Sequence, residues 1–207
     1  MWRYIIGIDE VGRGCLAGPV TVAAVAMPRK FKVSSLKLKV KLKDSKKHSA
    51  EQRAEIFAAI KNHPGILYAR ANVYPKVIDR INISNAANLA ATRALKKVIE
   101  LLSGELSSSA KVYLDGGLYI NNPQNLELKT QNLKTIVRGD EKYNCVKLAS
   151  IVAKVNRDRI ISNNHRAYPE YGLAQHKGYG TKAHIAALKK YGLVKIHRVT
   201  FIKNIKL

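Results

Sequence analysis

Tyr4-Ile-Ile-Gly-Ile-Asp9-Glu10-Val-Gly12-Arg13-Gly14-Cys15-Leu-Ala-Gly-Pro19 decides how the rest of the chain is read. Tyr4, Ile5, Ile6 and Ile8 form an apolar, β-prone run that ends in two adjacent carboxylates, Asp9 and Glu10. A basic turn hinged on glycine follows, Gly12-Arg13-Gly14, and then a second apolar run, Val20 to Met27. A strand that delivers acids to its end, beside a turn with exposed backbone amides, suits a metal held close to a phosphate. The plain alternative is a hairpin with a polar tip, since loop tips are commonly polar. Adjacent like charges repel, however, and a cation between or beside them relieves the repulsion.

Around this acidic pair the chain is strongly basic. Its 207 residues hold 37 Lys and Arg against 14 acids, a formal charge of +23. Self-repulsion of that size disfavours a compact state, and a polyanionic partner offsets it. Nucleic acid is therefore favoured over a merely solubilising surface or a membrane contact. The length suits one domain with room for a small appended subdomain. Apolar residues make up 46% of the chain, with no uninterrupted stretch of membrane-spanning length. Met1-Trp2-Arg3-Tyr4 runs straight into the first strand rather than into a cleavable leader. Cys15 and Cys145 are too few and too far apart for a disulfide framework or a zinc site. A cytoplasmic location is expected, with a monomer as the simplest state.

Arg29 to Lys47 carries nine basic residues against one acid, Asp44. Within it, residues 36–43 alternate Leu-Lys-Leu-Lys-Val-Lys-Leu-Lys, which predicts an exposed ribbon or edge strand guarded by lysines, or else a solvated face. Ser49 is the expected N-cap of a helix bearing Ile56 and Ile60, stopped by His63-Pro64-Gly65. Ile66 to Val73 reads as a third strand, followed by a short helical piece over 76–81. Asn82 to Asn85 then leads a long helix to about Leu102, with apolar residues at helical spacing. Gly104 and serines 107–109 form a loop. Lys111 to Asp115 is a fourth strand, closed by Gly116-Gly117. Beyond an asparagine-rich loop, Leu133 to Val137 is a fifth, stopped by Gly139-Asp140. Lys147 to Ile161 is a helix, and Asn163 to Leu207 is less regular. Lys154 and Arg157 on that helix are either phosphate contacts or part of a solvated face.

Three strands thus end beside acids: Asp9-Glu10, Asp115 and Asp140. If the strands are neighbours, four carboxylates meet at one edge of a sheet. An all-oxygen cluster of that kind suits Mg²⁺ or Mn²⁺ rather than zinc. Two such ions about 4 Å apart activate a water and stabilise the leaving oxygen in phosphodiester cleavage. Any single Asp-Gly pair is most simply a turn. The set, with the Gly-Arg-Gly turn, says more.

Ile6-Gly-Ile-Asp-Glu-Val-Gly-Arg-Gly-Cys-Leu-Ala-Gly-Pro-Val20 resembles the N-terminal signature of ribonuclease HII, the type 2 ribonuclease H family. Asp44-Ser-Lys-Lys, Tyr113-Leu-Asp-Gly-Gly, Arg138-Gly-Asp, Ala149-Ser-Ile-Val-Ala-Lys-Val-Asn-Arg-Asp-Arg, His176-Lys-Gly-Tyr-Gly-Thr and Ile196-His-Arg resemble further family motifs, in order. The resemblance implies an α/β ribonuclease H-like fold: a mixed five-stranded sheet flanked by helices, with a small helical C-terminal subdomain. On that basis 1–162 is the expected catalytic domain and 163–207 the subdomain packed on it. It implies metal ligation and catalysis by Asp9, Glu10, Asp115 and Asp140, with two Mg²⁺ or Mn²⁺ ions. It further implies endonucleolytic hydrolysis of RNA in RNA–DNA hybrids, and cutting 5′ to single ribonucleotides in duplex DNA, leaving 3′-hydroxyl and 5′-phosphate ends.

Only a 2′-hydroxyl marks such a target, so a sensor must approach the minor groove closely. The resemblance assigns this to Gly12, Arg13 and Gly14, and places Tyr179 on the sugar at the RNA–DNA junction. Without it, Tyr179 reads as a half-buried loop aromatic. Lys46 is the expected phosphate contact, with Lys47 an equivalent candidate. The chain departs from the family pattern at Cys15, expected to affect packing rather than the sensor. His48 replaces a usual leucine. Glu141 adds a fifth acid, either behind the metal ligands or facing solvent. The six histidines show no ligand spacing, and only His176 stands near the sensor loop. No clamp-binding motif is evident at the C-terminus. The sibling family, ribonuclease HIII, shares the Asp-Glu opening but usually lacks the Gly-Arg-Gly form. It carries an extra N-terminal domain, which a first strand at residue 4 is expected to leave no room for. A non-catalytic basic nucleic-acid-binding module would explain the charge but not the acids.

Overall fold

The computed structural model describes residues 2–43, 45–102, 109–126, 132–203 and 205. Asp44, Gly104, serines 107 and 108, and part of the asparagine-rich loop lie outside the described residues. Five strands, β1 (Tyr4–Val11), β2 (Val20–Pro28), β3 (Leu67–Val73), β4 (Ala110–Asp115) and β5 (Leu133–Ile136), form one mixed sheet in the order β3-β2-β1-β4-β5. β1 pairs antiparallel with β2 and parallel with β4, so it is central. β4 in turn pairs parallel with β5, and β2 antiparallel with β3. In the β1–β4 register Ile8 lies opposite Leu114. The residues that follow, Asp9 and Asp115, therefore lie side by side on neighbouring strands.

The continuous apolar run of β2 follows from burial on both faces. Val20, Val22, Ala24 and Ala26 join Ile6 and Ile8 in one core, beneath the long helix α3 (Ile83–Leu101). Ala86, Ala87, Ala90, Ala91 and Ala94 give that helix a thin face for close approach to the sheet. Asn82 caps α3 by accepting from the Asn85 N–H at 3.0 Å, and the short α2 (Pro75–Ile81) precedes it. On the opposite face Ala23, Val25 and Met27 meet α1 (Ala50–Asn62) and the first half of α5 (Asn144–Ala167). Ser49 caps α1 in a reciprocal pair with Gln52. Gly7 admits α5: a Cβ there would lie 2.2 Å from the Cys145 carbonyl carbon.

A third cluster joins Leu16 and Ala17 to Ile161, Tyr171, Leu173, Leu188, Ile196 and Ile202. It is built by α5, α6 (Leu173–His176), α7 (Lys182–Tyr191) and α8 (Val199–Ile202). Asp79 of α2 ties this region down, accepting from the Val199 and Thr200 N–H groups at 3.0 Å each.

Three local expectations are corrected. α5 extends beyond 147–161 in both directions, and the expected division at 162/163 falls inside it. Asp140 does not end a strand but sits in the first turn of α4 (Gly139–Lys142), after Arg138 takes a left-handed conformation. Residues 37–43 form no strand. Their alternation survives: Leu38, Val40 and Leu42 pack on the α1–α5 core while the lysines between them are exposed. Sheet pairing is replaced by side chains, because the Lys39 N–H is 3.4 Å from Glu55 Oε1 and the Lys43 N–H donates to His48 Nε2 at 3.0 Å.

Candidate active site

Asp9, Glu10 and Asp115 each bring a carboxylate oxygen within 4.8 Å of the others. Asp140 lines the same cleft, a space of about 450 Å³, from the α4 side. Ser150, Lys46, Lys154 and Tyr179 complete its walls. Of the four acids marked in the sequence, three thus converge tightly and the fourth stands on the cleft wall.

The elements explain the placement. β1 and β4 deliver Asp9 and Asp115 side by side, and Asp115 Oδ1 accepts from the Gly139 N–H at 2.7 Å, drawing α4 and Asp140 alongside. α5 brings Ser150 against Asp9, and the Ser150 and Ser45 hydroxyls lie 2.6 Å apart. Ser45 begins a short turn, Ser45–Lys47, that presents exposed Lys46. Arg53 Nη1 holds this turn by donating to the Ser45 and His48 carbonyls at 3.2 and 2.6 Å. Lys154 pairs with Asp158 at 2.8 Å.

Burial is the main force on the acids' charge. Asp9 is only 5% exposed. Its pKa is raised well above the ordinary value, first by burial and then by the charges of Glu10 and Asp115, against a hydrogen bond from Ser150. Glu10 is raised too, by burial and by Asp115, with Arg13 opposing. Arg13 Nε stands 2.8 Å from Glu10 Oε1, and its Nη2 donates to the Gly117 carbonyl at 2.8 Å. Glu10 Oε2 is buried without a hydrogen-bond partner. A hard cation satisfies that oxygen and relieves the repulsion, so these oxygen donors fit Mg²⁺ or Mn²⁺.

The Gly12-Arg13-Gly14 turn is anchored from behind by two arginines with no exposed surface, Arg157 and Arg198. Arg157 donates to the carbonyls of Pro19, Lys177 and Ala17 at 3.0, 2.9 and 3.0 Å. Arg198 donates to those of Gly18, Arg13 and Gly12 at 3.0, 2.7 and 2.7 Å. Gly12 has φ 92°, and a Cβ there would strike Arg157 Nε at 2.2 Å. Arg157 is therefore neither a phosphate contact nor part of a solvated face. Its buried role is missed by sequence alone. The Ile196-His-Arg resemblance was the available signal for Arg198.

Tyr179 sits beside this turn, 44% exposed, its backbone bridged to Cys15. The Leu16 N–H donates to the Gly178 carbonyl at 2.8 Å. Cys15 is fully buried, and its backbone is bridged to that of the tyrosine. His48, in the usual leucine position, keeps the loop ordered with polar bonds instead.

A family model described as Ribonuclease HII matches residues 6–204. The chain belongs to the ribonuclease HII family. It is 43% identical over 204 residues to the Ribonuclease HII of Caldicellulosiruptor bescii, covering 99% of this chain and 89% of that protein. It is 39% identical over 203 residues to that of Ruminiclostridium cellulolyticum, covering 98% and 71%. Among solved structures it is similar to the ribonuclease H2 of Pyrococcus horikoshii, with TM-score 0.73, 26% identity and 95% and 93% of the two chains covered. The ribonuclease HII in a complex with PCNA from Archaeoglobus fulgidus matches with TM-score 0.70, 27% identity and the same coverage. The fold is ribonuclease H-like, as expected. Membership makes the chain a hydrolase that cuts the RNA strand of RNA–DNA hybrids with divalent metal, which sets aside the non-catalytic alternative. No helix among the described residues is long and apolar enough to cross a membrane.

Proposed function

We propose that Asp9, Glu10, Asp115 and Asp140 hold two Mg²⁺ or Mn²⁺ ions, and that the chain also cuts duplex DNA 5′ to a single embedded ribonucleotide. The observation that carries this is the convergence of three carboxylates within 4.8 Å, one with an orphaned buried oxygen, in a chain of net charge +23. When bound, the ions supply Lewis-acid stabilisation of the attacking and leaving oxygens. The protein's own groups do the rest. Asp9 and Glu10, fixed near the end of a central strand, would hold the ions beside the scissile phosphate. Lys46, exposed at the cleft wall, meets a flanking phosphate. The backbone of Gly12, Arg13 and Gly14 approaches the 2′-hydroxyl, which the lack of side chains at the two glycines permits. Tyr179 packs its ring on the sugar at the junction. The products carry a 3′-hydroxyl and a 5′-phosphate. The substrates are RNA–DNA hybrids and ribonucleotide-containing duplexes, taken up by a cytoplasmic monomer.

Two assays test this. Wild-type protein given Mg²⁺ is expected to cut a DNA duplex containing one ribonucleotide at its 5′ side, and an intact duplex sinks the proposed incision. Tyr179→Ala is expected to lose that cutting roughly fivefold more than it loses cutting of long hybrids, in line with about 1 kcal/mol for one aromatic contact. Equal losses remove Tyr179 from the sensor.

A further inference from the structure

Behind the Tyr179 loop lie His184 and His197, 0% and 3% exposed, a pair the metal site does not use. Their Nε2 atoms are 3.2 Å apart, so one donates and the other accepts. His184 Nδ1 is 2.9 Å from the Tyr179 carbonyl, which accepts only. His184 therefore carries its proton on Nδ1 and accepts at Nε2. His197 then carries its proton on Nε2. Its Nδ1 must accept, and the Val194 N–H points to it at 3.1 Å. The Val194 carbonyl, 3.2 Å from that unprotonated nitrogen, accepts instead from the His197 N–H at 2.9 Å. One ordered direction satisfies every atom: Val194 N–H to His197, His197 Nε2–H to His184, His184 Nδ1–H to the Tyr179 carbonyl.

Both ends of this chain of bonds are fixed. The backbone of His197 bridges Ala17, in the stretch after the Gly-Arg-Gly turn, and its ring lies 4.8 Å from that of buried Tyr171. The His184 ring stacks on His176 at 4.4 Å. His176 accepts from the Gly178 N–H at 3.2 Å, and its Nε2 faces the Tyr171 carbonyl at 2.8 Å. Burial holds the pKa values of His184 and His197 below the ordinary histidine value, so each of the two rings carries a single proton at neutral pH.

We propose that His184 and His197 are positioning residues for substrate discrimination: their Nε2–H···Nε2 bond keeps the Tyr179 loop in register with the Gly12–Gly14 turn. The inference rests on Tyr179 being the junction contact, and it goes further by naming what holds that ring in place. Glutamine and asparagine separate this role from simple filling of space. At position 197 a glutamine amide reaches where Nε2 stands and keeps the donation to His184. An asparagine keeps the acceptor for Val194 but loses the donor to His184.

The test compares cutting of a single-ribonucleotide duplex with cutting of a long hybrid. His197→Asn is expected to lower that ratio roughly three- to tenfold, the worth of one hydrogen bond, with His197→Gln restoring most of it. A ratio unchanged in folded His197→Asn, while Tyr179→Ala lowers it, overturns the positioning role alone. A ratio unchanged in Tyr179→Ala overturns the junction contact, and the inference with it. Wild-type protein supplies a readout independent of variant folding. Imidazole nitrogen NMR should show His184 as the Nδ1–H tautomer, His197 as the Nε2–H tautomer, and a coupling between their Nε2 nuclei. His184 found as the Nε2–H tautomer overturns the ordered chain.

Discussion

Two regions of this protein bury charge, and they treat it in opposite ways. Behind the Gly-Arg-Gly turn, Arg157 and Arg198 each donate three hydrogen bonds to backbone carbonyls. Arg198 is lowered to about 10 by burial and stays charged at neutral pH. In front of the turn, Asp9, Glu10 and Asp115 crowd together with a buried oxygen unpartnered. A buried charge surrounded by dipoles is scaffold, whereas a buried charge left in need of a partner marks the place where a ligand completes the structure.

The largest expected break in this contrast is Asp9→Asn. It should reduce hybrid cleavage about a thousandfold or more while hybrid binding is kept, because it removes the metal ligation proposed for Asp9. Cleavage at the wild-type rate would mean the acids hold no catalytic metal. The same variant should gain stability in chelator. A folded acid whose pKa lies above its unfolded value keeps its proton longer as pH rises, so ionising it at neutral pH costs the fold. A higher melting temperature for Asp9→Asn than for wild type, measured in chelator at pH 7, checks this sign.

Exposed charge offers a third case, screened where the buried groups are not. Hybrid affinity should fall about a thousandfold between 50 and 200 mM salt as phosphate contacts release counterions. A flat response in a binding titration would place the duplex away from the basic surface. On the scaffold side, Arg198→Met strands the carbonyls of Gly12, Arg13 and Gly18. It should lower unfolding free energy by about 3 kcal/mol, read from urea denaturation. A loss under about 1 kcal/mol would show that water reaches those carbonyls.

The smallest effect expected concerns the neutral histidines. His197 is pushed down to about 4 by burial and by His184, so below about pH 6.5 the unfolded chain takes up a proton that the folded one refuses. Stability should therefore decline from about pH 6.5 towards pH 4, by less than about 3 kcal/mol, the full value of such a pKa drop. His197→Gln should flatten that part of the pH profile in thermal melts.

The strands were legible because a β-prone run ending in acids has few other uses, and Ser49 and Asn82 announced their helices by local chemistry alone. Residues 37–43 misled because period-two alternation reports which side chains are buried, not whether the backbone pairs. Here Glu55 and His48 replace the neighbouring strand. Asp9 and Glu10 stood out by adjacency. Arg157 did not, since its burial depends on which carbonyls the fold leaves unpaired, including one 140 residues away. The tautomer order of His184 and His197 is likewise a property of packing, set by the backbone of Tyr179 and Val194 once two rings 13 residues apart meet.

Arg198 Nη2 meets the Gly12 carbonyl across 186 positions of sequence. On a translating ribosome, the hinge is thus made on the order of ten to forty seconds before the guanidinium that braces it. Nascent chains carry the first two acids throughout that interval with the Arg198 bonds to the hinge unmade. The Gly12–Gly14 turn therefore gains its last anchor long after the turn itself has been made.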